Sequence, residues 1–477
     1  MHVWTDFTLL AVLHAVIIAI VVPAVLLTKK EPTSALAWCL AVIMMPFVGA
    51  LLFWEFGYNY LHRMAKRKQR RASNFLAQHP PRSGWARRGA IEETADSPEL
   101  AKLAVRANAF PLTHGNQVAL YHDTRHAFDA LLAEIEGAQQ HIHTQFFILR
   151  NDEVTRKFID ALAQKARAGV QVRLLHDAWG SVWLRKRTLQ PLIAAGGQVR
   201  PCLPLSPPRS MLHFNLRNHR KIVTIDGRIG FTGGMNIGRE YLGEDPYFGY
   251  WRDSFARLEG PAVAGLQRVF VEDWDFAGGE SLNSEQYFPA IECRGADPVQ
   301  IVESGPDQEV NSIREIYLMA ILAARQRLWL ASPYFIPDEG LTDALRMARY
   351  RGVDVRLLTI MRPDHYLSYY AGRYYWTELL QLGVRVHLYR KGMMHSKLML
   401  VDREWAMIGS ANLDRRSLHL NFEIGCMLYS PERIDELAQA YCADLEHSVE
   451  LDTAQFMARS LLTRVFENGC RLLAPSL

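Results

Sequence analysis

The chain has 477 residues, 49% hydrophobic and 22% charged, a composition with room for two substantial folded domains. A formal net charge of only +4 excludes any argument for nucleic-acid binding from global electrostatics. Six cysteines, at 39, 202, 293, 426, 442 and 470, form neither metal-ligand pairs nor a close disulfide pattern, and they suit a reducing compartment.

The N-terminus differs from the rest. Residues 7–27, FTLLAVLHAVIIAIVVPAVLL, form an apolar run long enough to cross a bilayer. A second run, ALAWCLAVIMMPFVGALLFW at 35–54, carries Trp38 and Trp54 near its ends, where interfacial aromatics belong. A cleaved signal peptide is the plainer alternative. The opening MHVWTDF has no Lys or Arg, however, and a second run follows at once. The expectation is a two-helix transmembrane hairpin. Arg63, Lys66, Arg67, Lys68, Arg70 and Arg71 crowd the exit of the second run, against Lys29 and Lys30 in the loop. The positive-inside bias then puts both ends of the hairpin in the cytoplasm, with the basic residues against anionic headgroups. Residues 61–109 read as this basic segment followed by a polar linker.

Beyond the linker the chain repeats itself. QHIHTQFFIL (140–149) is strand-like, a helical pattern from Val154 to Ala166 follows, then Gly169 and VQVRLLHD. The second half repeats this as RLWLASPYFI (327–336), LTDALRMARYR, Gly352 and VDVRLLTI. Each half continues with a helix ending at glycine and a short strand, LIAAGGQVRPCL and LLQLGVRVHLY. This alternation predicts an α/β fold of two similar units, 110–294 and 295–477, each a mixed sheet covered by helices.

The next stretch of each half carries the chemistry. NHRKIVTIDG places His219, Lys221 and Asp226; MHSKLMLVD places His395, Lys397 and Asp402 at the same spacing. Two residues apart on a strand, each His and Lys face the same side. An imidazole beside an ammonium suits a core poorly, but it suits an anion held between them. The lysines would stabilise charge on non-bridging phosphate oxygens. Asn236 in TGGMN and Asn412 in GSANLD follow tight turns and offer amide donors to the same oxygens. Glu423 in NFEIG and Asp253 in YWRDSFARLEG are candidates to accept a proton from an imidazole's second nitrogen and fix its tautomer; a surface salt bridge is the bland alternative. Asp226 and Asp402 precede turns and are expected to hold the loop.

These stretches resemble the His-x-Lys-x(4)-Asp signature of the phospholipase D superfamily, with Gly233, Gly234 and Asn236 after the first copy and Gly409, Ser410 and Asn412 after the second. The resemblance spans nearly all of 110–477 and implies a bilobal catalytic unit whose two histidines meet between the halves. It implies two-step catalysis with no metal and no cofactor: His219 attacks phosphorus, and His395 protonates the leaving group, then activates the incoming hydroxyl. Within the superfamily, RNHRKIVTIDGRIGFTGGMNIGREYLG, SGPD (304–307), SPYFIPD (332–338) and the second-motif stretch resemble the bacterial cardiolipin synthases. One departure bears on the headgroup contacts: Gln145 precedes Phe146 and Phe147 where many members have Glu. The resemblance implies phosphatidyl transfer between two phosphatidylglycerol molecules, with phosphatidylethanolamine or other alcohols as further substrates. It also implies a multi-pass protein of the bacterial inner membrane with its catalytic domains on the cytoplasmic side. A membrane-anchored hydrolase using water is the nearest rival, a phosphodiesterase acting on nucleic acid a weaker one, and a scaffold with relic motifs the weakest. YLSYYAGRYYWTELL (366–380) reads as an acyl approach, an interfacial segment or a plain core helix. Oligomeric state is not legible.

Overall fold

The computed structural model describes residues 2–29, 32–57, 98–204, 216–290, 292–308 and 310–472. The first apolar run is one helix, α1 (His2–Thr28), and its Leu9–Thr28 portion is long and apolar enough to cross a membrane. The second run does not stay one helix. Proline has no N–H to give, and its ring disfavours helical backbone in the residue before it. Met45, before Pro46, accordingly sits at φ −136°, ψ 72°. The run divides into α2 (Pro32–Met44), α3 (Pro46–Leu52) and a π-helical turn at Phe53–Gly57. Thirteen helical residues reach about 20 Å, against a hydrocarbon core about 30 Å thick. Among the described residues only α1 can span. This corrects the expected hairpin: the described residues hold one candidate span, not a multi-pass arrangement, and the cytoplasmic placement deduced from that hairpin goes with it. The basic cluster at 63–71 and the linker up to 97 lie outside the described residues. The linker reading ends at helix α4 (Glu99–Arg106), whose Ala101 and Ala104 pack into the core of the second half.

The catalytic body is built from two matching strand sets. The first half supplies β1 (Thr113–Asp123), β2 (His141–Phe146), β3 (Gln171–Asp177), β4 (Gln198–Cys202), β5 (Ile222–Ile225), β6 (Ile229–Gly233) and β7 (Tyr250–Glu259). The second supplies β8 (Asp297–Ser304), β9 (Arg327–Ala331), β10 (Phe335–Ile336), β11 (Asp354–Ile360), β12 (Arg385–Tyr389), β13 (Gly392–Met394), β14 (Leu398–Val401), β15 (Trp405–Gly409), β16 (Leu413–Asp414), β17 (Glu423–Leu428) and β18 (Ser448–Glu450). The spatial order β4-β3-β2-β5-β6-β7-β1 in one half is repeated as β12-β11-β9-β14-β15-β17-β8 in the other. In each half the first three of these are parallel, because helices cross between them, and the rest are antiparallel. The sequence predicts a separate sheet per unit; instead β1 and β8 pair antiparallel and join both into one continuous sheet. That pairing removes two exposed edges at once. Each half keeps its own apolar core, around Phe158 and Leu174 in the first and Leu330 and Leu357 in the second.

The motif aspartates serve this scaffold. Asp226 and Asp402 take left-handed backbone (φ 53° and 50°), which a short polar side chain tolerates best. The Asp226 carboxylate accepts from the N–H groups of Gln139, Gln140 and His141, and that of Asp402 from Arg325, Gln326 and Arg327, all at 2.7–2.9 Å. Each therefore closes the turn that launches β2 or β9, at the opposite end of those strands from the histidines. Asp402→Ala leaves three donors without their acceptor and is expected to cost at least about 3 kcal/mol. Denaturant unfolding of the purified protein checks this, with Asp402→Asn intermediate; an unchanged midpoint would mean that water replaces the carboxylate.

Candidate active site

Ile222 opposes Gln145, so His219 and Lys221 arrive at the C-terminal end of β2. Leu398 opposes Ala331, which brings His395 and Lys397 to the same end of β9. Each approach segment then pairs with the other half of the chain. Asn218 bridges Phe422, and the His219 N–H donates to the Phe422 carbonyl at 2.9 Å. β13 pairs with β7 so that Met394 lies opposite Arg252, and the His395 N–H donates to the Arg252 carbonyl at 2.7 Å.

This crossing sets the partners, because Glu423 follows Phe422 and Asp253 follows Arg252. His219 Nδ1 donates to Glu423 Oε2 at 2.9 Å, and His395 Nδ1 donates to Asp253 Oδ2 at 2.6 Å. An ionised carboxylate can only accept, so both Nδ1 atoms carry the proton and both Nε2 atoms present a lone pair. Each acid thus serves the histidine of the opposite half. Aromatic rings flank both imidazoles: Phe147 beside His219 (centroids 4.8 Å apart) and Trp251 beside His395 (5.2 Å).

The two carboxylates are not equivalent. Glu423 also accepts from the Ser410 hydroxyl and from Asn421 Nδ2 at 3.1 Å. At the matching position, Gly234, a Cβ would lie 2.1 Å from Asp253 Oδ1, so only glycine admits this carboxylate to His395. Asp253 takes its further bond from the Ser254 N–H at 2.8 Å.

Lys221 and Lys397 are fully buried, and each ammonium donates to the carbonyl of its own histidine. Burial pushes Lys221 down to about 7 and Lys397 to about 8, each partly held up by Glu423 and Asp253 and Lys221 lowered further by Lys397. Burial, opposed by Glu423 and reinforced by Lys221, lowers His219 to about 4; burial and Lys397 lower His395. Glu423 is itself pushed up by burial, but His219, Lys221 and Ser410 outweigh that and hold it at about 2. Both imidazoles are therefore neutral in the empty site at neutral pH.

The sequence-chosen residues divide cleanly. His219, Lys221, Glu423, His395, Lys397 and Asp253 meet, with Lys397 close enough to bear on both His219 and Lys221. Asn236 is buried, and its Oδ1 accepts from the Ile148 N–H at 3.1 Å, leaving its amide donors for other partners. Asn412 donates to Asp414, and its own Oδ1 is buried without a hydrogen-bond partner among the described residues. Asp226 and Asp402 do not join the cluster.

Sequence reasoning missed two buried arginines that hold the dyads in register. Arg220 donates through Nη1 to both Asp273 oxygens at 2.8 and 2.9 Å, reaches Glu303 through Nη2 at 2.7 Å and donates through Nε to the Glu423 carbonyl at 3.1 Å. Arg252 pairs with Asp444 at 2.8 Å and donates to the Asp253 carbonyl at 2.6 Å. The available signal was the alternation itself: in His-Arg-Lys the arginine faces away from its neighbours into a core, where a guanidinium needs acids. Gln145 belongs to the same support. It is buried and donates to Asn218 Oδ1 at 2.7 Å and Asp273 Oδ2 at 2.8 Å, so the departure at this position falls within the brace behind the site.

Comparison with known proteins accords with this geometry. The family model described as "Cardiolipin synthase, PLD-like domain" matches residues 131–273 and 317–446, one match for each half. A second, "Phospholipase_D-nuclease N-terminal", matches residues 15–57. Proteins named cardiolipin synthase from Geobacillus thermodenitrificans and Geobacillus kaustophilus are 40% and 39% identical over 99% of this chain and 94% of their own. This chain belongs to the cardiolipin synthase family of the phospholipase D superfamily. Its fold is shared with a phosphatidylserine synthase from Haemophilus influenzae (TM-score 0.61, 14% identity, 76% of this chain and 95% of that one). In this family member the paired motifs of the two halves come together in one cluster.

Two lysines partly neutral at rest should take up protons when an anion arrives. Their pKa values start near 7 and 8 and rise with the anion bound, so affinity falls as pH climbs above about 7. Inorganic tungstate is expected to bind more weakly from pH 7 to 9, by up to about tenfold per pH unit for each lysine that titrates. Calorimetry in buffers of different ionisation enthalpy would show the proton uptake. A pH-independent dissociation constant would mean that both lysines are charged in the empty site.

Proposed function

We propose that this chain is a cardiolipin synthase that transfers a phosphatidyl group from one phosphatidylglycerol to another, releasing glycerol, through a phosphohistidine. The observation that carries the chemistry is the pair of imidazoles, each with its Nδ1 proton held by the opposite half's carboxylate and its Nε2 lone pair presented beside a buried lysine. The lipid substrates are supported by relatives of that name, alike over almost their whole length.

The steps follow from proton positions. The bound phosphodiester anion favours the protonated forms of both lysines and of His395. His219 Nε2 attacks phosphorus as the bond to the glycerol oxygen breaks, and His395 gives that oxygen its proton. The lysines, with Asn236 and Asn412, hold the non-bridging oxygens as charge builds on them. The second phosphatidylglycerol then offers its terminal hydroxyl, whose proton His395 takes back, and the new oxygen–phosphorus bond displaces His219. One phosphodiester replaces another, so direction comes from substrate supply and loss of glycerol. Water is the competing acceptor. Burial of the reacting groups disfavours it. His219 is assigned as nucleophile on the family resemblance; both imidazoles start neutral.

Purified protein given phosphatidylglycerol as the sole lipid is expected to make cardiolipin and free glycerol, with His219→Ala and His395→Ala each reduced by at least about 10³-fold. Phosphatidic acid as the sole product would replace the synthase with a hydrolase. Gly234→Ala drives Asp253 away from His395 and is expected to lower turnover by about 10²-fold or more with little change in KM, because it misorients a catalytic base without touching substrate. Equal turnover would show that the Asp253–His395 bond is not needed.

A further inference from the structure

The C-terminal helix Leu461–Leu472 is turned inside out. Its Glu467 and Cys470 are buried, at 1% and 4% exposure, while Leu461, Leu462, Val465, Phe466 and Leu472 are between 55% and 82% exposed. At 100° per residue those five apolar side chains fill an arc of about 140°. The inward acid is matched: Arg373 Nε donates to Glu467 at 2.6 Å and Arg459 at 3.0 Å. Ion pairs thus anchor this helix with its leucines outward, an arrangement that water alone does not favour.

Its position ties it to the site. It packs along helix Tyr366–Gln381: Phe466 meets Tyr370 (5.1 Å between centroids), Glu467 meets Arg373, Arg471 lies over Tyr374, and Arg459, just before the helix, reaches Thr377. Tyr370 lies in the first turns of that neighbour, at whose start Tyr366 and Leu367 are also exposed. Just before that start comes Asp364, whose charge acts on both His395 and Lys397. The matching loop of the first half, after β3, exposes Trp183 and continues as Arg185, Lys186 and Arg187. Both loops leave the C-terminal ends of parallel strands, the edge that carries the two histidines.

We propose that this edge and the C-terminal helix form one face that docks on the surface of a phospholipid bilayer. The proposal rests on the reading of the substrate as a phospholipid. Apolar side chains with aromatic tips and flanking cations, Lys186 and the exposed Arg464 among them, are the composition of an interfacial element facing anionic headgroups. A second copy of this chain, itself net positive at +4, offers no such charge match. Seated this way, the site opens toward a two-dimensional pool holding both of its substrates.

The test uses the full-length Leu462→Ser/Val465→Ser/Phe466→Ser variant on two forms of phosphatidylglycerol: long-chain lipid in vesicles, and a short-chain lipid below its micelle concentration. Vesicle activity is expected to fall at least tenfold while activity on the monomeric lipid stays within twofold of the unmodified protein. Unchanged vesicle activity overturns the proposal, and so does an equal fall on both, which would make the helix a structural support. A smaller assembly by light scattering would assign the face to a second copy and overturn it too. Docking is also read without turnover, from a nitroxide at Leu462→Cys in nanodiscs with Cys39, Cys293 and Cys442 replaced by serine. Access to oxygen with shielding from a nickel chelate supports docking; the reverse overturns it. A buried nitroxide in a protein that makes no cardiolipin from either lipid would sink the synthase reading and leave the docking face supported.

Discussion

A buried imidazole that reacts through one nitrogen needs an acceptor on the other, and in this chain each half supplies that acceptor to the other half's histidine. The bonds between His219 and Glu423 and between His395 and Asp253 span 204 and 142 residues of sequence. They depend on two main-chain crossings, Asn218 to Phe422 and β13 to β7, and these depend in turn on β1 and β8 joining the halves into one sheet. Neither half has a complete site. The duplication therefore yields two dyads only when both copies fold against each other, which makes the pairing of the lobes a condition of the chemistry.

The charges in the cluster show what the site is built to receive. Two lysines, two carboxylates and two imidazoles are withdrawn from water together, and burial holds the lysines well below their ordinary range. Each ammonium rests on a carbonyl of its own strand, a modest partner for a cation taken out of solvent. With the imidazoles neutral the lysines and carboxylates cancel at most, so the charge of a phosphodiester is matched by protons taken up as it binds. Arg220 and Arg252 carry the opposite duty: anchored on Asp273 and Asp444, they grip the carbonyls of Glu423 and Asp253 and hold the acids still while protons move on the imidazoles.

The repeated parts of this design were legible because repetition is visible in a string. His-x-Lys at matched spacing, the strand and helix alternation and the glycine-ended helices all read directly, and they pointed to the two lobes and to four of the six clustered side chains. Glu423 and Asp253 were readable as orienting acids, but their exchange between halves was not, since no local pattern encodes which of two equivalent strands a segment will join. The second apolar run misled for a different reason. Hydropathy sums side chains and is blind to the missing N–H of Pro46, which breaks a run that composition alone counts as a span. Arg220 was passed over because a cation inside a cationic motif looks like more of the same, when its alternation into the core set it apart. The inside-out helix at 461–472 shows its amphipathic period in sequence, yet which side faces the protein was decided by Glu467 and its two arginines.

The exchange of carboxylates between halves is tested most directly by proton NMR of protein labelled with nitrogen-15 at histidine. Each Nδ1 proton shared with a carboxylate should give a low-field resonance. Glu423→Gln should shift or remove the His219 signal and leave that of His395 in place, and Asp253→Asn should do the converse. If instead Glu423→Gln removes the His395 signal, or neither variant affects either resonance, each half orients its own histidine and the cross-paired site described here is wrong.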